Sequence, residues 1–154
     1  MEVDAFLADS AEAVQGKVYA LGIGWNTVYV RALPSAHPRV SVGMTIRVPY
    51  TATNQNHTVL LHLESEDGER IPLGEEPSEA DEEPKQVFEL GGQFNVGRPP
   101  LLPPGDDQVV CLALTVNNLT LEKLAMFHWV ISVDGTSLKR LPMRVQQLTQ
   151  TLTM

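Results

Sequence analysis

Val40-Ser41-Val42-Gly43-Met44-Thr45-Ile46-Arg47-Val48 carries an apolar side chain at every second position, with Ser41, Gly43, Thr45 and Arg47 between them. Successive side chains of an extended chain point to opposite faces, so a period of two marks a β-strand with one face buried. The same beat recurs in Val59, Leu61 and Leu63, in Phe88, Leu90, Phe94 and Val96, and in Phe127, Trp129, Ile131 and Val133, with turn residues between the runs. No long stretch has helical periodicity. The expectation is an all-β chain of about eight or nine strands, folded as a single antiparallel two-sheet sandwich of immunoglobulin-like or related topology. Its core is expected to hold Val42, Met44, Ile46, Leu61, Leu63, Phe88, Leu90, Leu112, Leu114, Trp129 and Ile131.

The 154 residues fit one domain, long enough to fold without disulfide or metal staples. The domain is expected over 1–146, followed by a flexible tail over 147–154. Ser10 to Gly16 reads as a connection holding one helical turn, capped by Ser10 and ended by Gly16. Asp67-Gly68 and Asp134-Gly135 are turn dipeptides that close hairpins. The segment 74–84 has almost nothing to bury and reads as an acidic, solvated loop, and the prolines of 97–105 impose an extended crossing. Val109 to Val116 is a continuous apolar run, expected as a central strand covered on both faces, and Asn117-Asn118 as the turn that ends it.

The net charge of −8 is unevenly spread: ten of the nineteen acids lie between Glu64 and Glu83 with a single base, Arg70, a local charge of −9, which leaves +1 for the rest. That acidic stretch repels nucleic acid and no basic stripe offsets it, so no nucleic-acid partner is expected. No segment approaches the roughly 18 apolar residues of a membrane span, and no membrane association is expected. The opening residues Glu2-Val3-Asp4-Ala5-Phe6-Leu7 show neither a basic region nor a long apolar stretch, so they are not expected to act as a signal peptide. Its one cysteine, Cys111, sits in an apolar run and is expected as a small buried hydrophobe. The expected location is cytoplasmic.

The C-terminal stretch Phe127-His128-Trp129-Val130-Ile131-Ser132-Val133-Asp134-Gly135, returning through Leu141 to Val145, is similar to the last strands of bacterial immunoglobulin-like sandwiches. The front end is more particular. Phe6-Leu7-Ala8-Asp9-Ser10-Ala11, then Gly16-Lys17-Val18-Tyr19-Ala20-Leu21-Gly22-Ile23-Gly24-Trp25, then the His37-Pro38 loop, resembles an uncharacterised bacterial β-sandwich family known only as a domain of unknown function. The resemblance implies a small cytoplasmic β-domain and transfers no catalytic residue.

Side chains that could carry chemistry are sparse. His37, His57, His62 and His128 show no paired ligand spacing; His62 and His128 point from the outer faces of their strands and meet only if those strands are neighbours. The acidic loop offers calcium many oxygens but lacks an internal glycine for a tight cation turn. Ser10 beside Asp9 and Asp4 has no histidine to activate it, and Gly22-Ile23-Gly24 lacks the strand-to-helix turn that cradles phosphate. No catalytic, metal or cofactor-binding residue is assigned, and no cofactor is expected. Trp25, Tyr29 and Tyr50, aromatics near turns, are the candidate binding residues. The function expected is a non-enzymatic interaction module, a subunit or adaptor of a larger assembly, whose partner is another protein or a second copy of the chain. The alternatives are a ligand-binding sandwich for carbohydrate or calcium and, behind it, an enzyme of unrecognised type.

Overall fold

Two residues decide how the front of the chain folds. Gln15 (φ 51°) and Gly16 (φ 75°) both take left-handed backbone, the geometry of a two-residue hairpin turn whose twist matches its strands. Ser10 to Leu21 is therefore a β-hairpin, not a helical connection. Residues 1–79 and 81–149 are described by the structure, a computed structural model. In chain order the strands are β1 (Glu2–Ala8), β2 (Ser10–Val14), β3 (Lys17–Leu21), β4 (Thr27–Val30), β5 (Ser35–Val48), β6 (Asn56–Ser65), β7 (Arg70–Ile71), β8 (Gly74–Glu76), β9 (Lys85–Val87), β10 (Glu89–Asn95), β11 (Gln108–Leu121), β12 (Met126–Val133) and β13 (Thr136–Gln147). A 3-10 turn spans Tyr50–Ala52.

These strands form four sheets: β1-β5-β11, the larger β10-β6-β12-β13-β4 with β7 also on β6, and two ribbons, β2-β3 and β8-β9. The chain is all-β, but the expected single antiparallel two-sheet, immunoglobulin-like sandwich is overturned, the largest sheet curling into a half-barrel. Three local causes produce the difference. The Gln15-Gly16 turn splits off β2-β3. Pro72 follows β7 directly and offers no amide hydrogen to prolong its ladder, so the chain leaves β6 and the acidic segment starts and ends in its own ribbon, Gly74 to Glu76 facing Val87 to Lys85. Finally, β4 joins the end of β13 in parallel, Thr27 to Val30 beside Arg144 to Gln147.

The alternation of β5 places Val42, Met44, Ile46 and Val48 on a fully buried face. They meet Leu61 and Leu63 of β6 and Trp129 and Ile131 of β12 in one core shared by the two large sheets. Within it the Trp129 indole N–H donates to Met143 Sδ at 3.3 Å. Leu90, Leu112 and Leu114 pack against this core half-buried, whereas Phe88 is exposed. Beyond His62 the edge of β6 is taken by β7, with Ile71 opposite Leu63. β10 therefore pairs only from Glu89 onward, and Phe88 lies where the chain swings off that edge.

Val109 to Val116 is not a central strand: β11 is the edge of the three-stranded sheet. It continues through Asn117-Asn118 to Leu121, the ladder skipping only the Asn118–Pro38 position, where proline has no amide hydrogen to share. The β2-β3 hairpin packs on the outer face of β5 and β11. There Ser41, 0% exposed, shares a 2.8 Å hydrogen bond with Thr115. At the C-terminal end β13 pairs through Gln147, and the Leu148 N–H donates to Val30 O at 2.8 Å; residues 150–154 of the expected tail lie outside the described residues. Among the described residues, no helix is long and apolar enough to cross a membrane.

Candidate functional site

The three candidate aromatics do not converge. Trp25 precedes β4 and packs its half-buried ring against the core, 6.1 Å from the His37 ring. Tyr29 alternates with buried Val28 and Val30 and is 61% exposed. Tyr50 sits in the 3-10 turn beneath the Arg98 guanidinium, 4.1 Å from its ring centroid, close to the start of β6. Register places β4 beside Arg144, which faces Met126 at the start of β12, and so at the Ser65 end of β6. Nine steps along β6 separate that end from Asn56, about 30 Å at the rise of a strand.

Two of the histidines, His57 and His62, are tied into the fold by their ring nitrogens. His57, on the core face of β6, holds Asp134 Oδ2 at 2.7 Å through Nδ1 and the Ala52 carbonyl at 2.7 Å through Nε2. Both neighbours only accept, so both nitrogens carry hydrogen and the ring is an imidazolium. Its pKa is raised, first by the bond to the Ala52 carbonyl and then by that to Asp134. β6 and β12 are neighbours, so His62 and His128 do share one sheet face: His128 stands opposite Glu64, and His62 opposite Val130. Glu64 accepts from His62 at 2.9 Å and from Arg140 at 2.6 Å, and the His62 bond leads the causes that hold its pKa down. These two bonds take one acceptor site on each carboxylate oxygen and fix the group against the sheet. Among the described residues, no group of three or more His, Cys, Asp or Glu converges as a metal centre would.

A cleft of about 410 Å³ opens between the β7-β8 segment and the β11-β12 corner. Its cations are matched by acids, Lys123 with Glu69 at 3.9 Å and Arg70 with Glu89 at 3.6 Å. The other acids of its lining, Glu75 and Glu122, leave the cleft with a net negative charge.

The unusual surface is the edge of β11. Gln108-Val109-Val110-Cys111-Leu112-Ala113-Leu114-Thr115-Val116 contains no charge, glycine or proline, and among the described residues no strand pairs with its outer edge. The other edges of the two large sheets are charged or short: β1 carries Glu2 and Asp4, β10 carries Glu89, and β4 is four residues long. Long, uncharged, apolar edges are the ones to which another strand adds. Val110, Leu112 and Leu114 face Ile46, Met44 and Val42, which are at most 1% exposed, yet they are themselves only half-buried. The core is thus open along this flank. Sequence reasoning located the apolar run but missed its position, because edge and centre are set by sheet order and not by composition.

A family model matches residues 3–146, well beyond the Gly16–Trp25 stretch that carried the initial resemblance. The chain belongs to DUF6941, a family of unknown function. No curated protein and no solved structure matches it. For DUF6941 the geometry of this chain is therefore what a functional reading rests on.

Proposed function

We propose that the chain is a non-enzymatic protein-interaction module that engages its partner along the outer edge of β11. The observation that carries the reading is the uncharged edge from Gln108 to Val116, with the core open beside it at Val110, Leu112 and Leu114. An added strand satisfies the backbone groups of the edge, while its side chains cover the exposed flank of the core. Two side chains of chemically capable type are held in structural contacts: His57 by Asp134 and Ala52, and Glu64 by His62 and Arg140.

The test is a photo-crosslinking residue placed at Val109, which is 61% exposed, and in a control at Leu101, 95% exposed on the proline crossing. Irradiation in cells is expected to give a discrete protein adduct at Val109 and none of that mass at Leu101. No adduct at Val109 overturns the reading.

A further inference from the structure

We infer that the strand added at this edge is β11 of a second copy of the chain, antiparallel about a two-fold axis through Leu112. The inference rests on the interaction reading and names its partner. A two-fold axis perpendicular to a sheet keeps each side chain on its own face, so one residue must stand opposite its own copy. Leu112 is the midpoint of Gln108 to Val116. Centring there sets Val110 opposite Leu114, Cys111 opposite Ala113, Val109 opposite Thr115 and Gln108 opposite Val116. At Val110, Leu112 and Leu114 the apolar side chains of the core face then meet apolar side chains, covering the flank that each chain alone leaves open.

The same register brings Asp107 opposite Asn117 of the second copy. Asn117 is itself paired with Arg39 of β5. Arg39 is exposed and has no ion pair among the described residues, and Asp107 is likewise exposed and unpaired. Two strand spacings, about 10 Å, separate their backbones in the dimer, a gap that the two side chains span. The two-fold axis makes this pair twice. Shifting the axis by one residue either way removes it, since Asp107 then meets Thr115, paired with buried Ser41, or Leu119, paired with His37. The charge pair thus selects this register from its apolar neighbours, and the product is a continuous six-stranded sheet built from two three-stranded ones.

Sedimentation equilibrium on the full chain tests this. The wild type is expected to be a dimer, Asp107→Lys or Arg39→Asp to weaken it about tenfold by setting like charges together, and the double variant to recover most of the loss. Both positions are exposed, and hydrogen exchange on the unaltered chain gives an independent reading: amides within 108–116 should become more protected as concentration rises. A chain that is monomeric at every concentration overturns the inference, as does a dimer indifferent to both charge reversals. If Val109 crosslinks a different protein while the chain stays monomeric, self-association fails and the interaction reading stands. If it crosslinks nothing, both fail.

Discussion

His57 and Asp134, far apart in sequence, close on each other at 2.7 Å and tie the turn after β5 to the β12-β13 turn. Asp134 (φ 51°) and Gly135 (φ 82°) form that turn, and Asp134 Oδ1 also accepts the Thr58 N–H at 2.9 Å. With Nε2 on the Ala52 carbonyl, one buried cation holds three segments. Its raised pKa means that this support is complete below the ordinary histidine value of 6.5 and is lost as pH rises through the folded value. Asp134, whose pKa is lowered chiefly by His57, adds support above 3.8 that is lost as pH falls through its own folded value. Its carboxylate is half exposed, so solvent screening makes His57 the larger contributor.

Melting temperature is therefore expected to fall between pH 6 and pH 9 more steeply in the wild type than in His57→Gln. The comparison isolates His57 from His37, whose burial lowers its pKa and gives the opposite slope. Equal slopes in the two proteins would show that the imidazolium contributes nothing to stability. At pH 6 the substitution itself is expected to cost about 2–3 kcal/mol, the scale of losing hydrogen bonds to a buried charge.

Gly43 lies opposite Phe6 in the β1-β5 ladder, and a β-carbon on it would collide with the Phe6 ring. Gly43→Ala is expected to destabilise by about 1–3 kcal/mol through overpacking. Combined with Phe6→Leu, it should cost much less than the two single changes summed, because the smaller side chain vacates the space. Denaturant unfolding of the four proteins gives the coupling; strict additivity would mean that the ring moves aside freely.

Met143 is the acceptor for the buried Trp129 indole N–H. Met143→Leu nearly preserves volume but leaves that donor unpaired, so a loss of about 1–2 kcal/mol is expected where a simple aliphatic swap would be nearly neutral. Trp129→Phe in the Met143→Leu background removes the orphaned donor and should show no further loss from that source. Chemical denaturation of the two single variants and the double checks it.

Those contacts also mark what a linear reading can reach. Alternation identified β5, β6 and β12, because an even period fixes which side chains face the core whatever the sheet order. Asp134-Gly135 was legible because its backbone demands positive φ at two successive positions. Gln15-Gly16 makes the same kind of turn but was hidden by the helix-favouring Ala-Glu-Ala before it, and with it went the β2-β3 hairpin. Phe88 misled because its exposure depends on β7 occupying the edge of β6, a long-range competition without a local signature. The β11 edge was invisible for the same reason: an apolar run reads alike whether both of its edges are paired or only one.

Trp25 separates a core role from a docking role. Its ring packs on the core and lies 6.1 Å from His37, so Trp25→Ala is expected to cost about 3 kcal/mol, the scale of an aromatic truncation. His37 supplies a local reading of the same event. Burial is the leading cause of its lowered pKa, and removing the adjacent indole admits water, so its titration should move up toward 6.5 when followed by NMR. Its depressed folded value weakens the folded state as pH falls from 6.5 through that value, so the acid-side loss should be smaller in Trp25→Ala than in the wild type. A variant that keeps wild-type stability and an unmoved His37 titration, yet no longer associates, would instead make Trp25 an anchor for a partner.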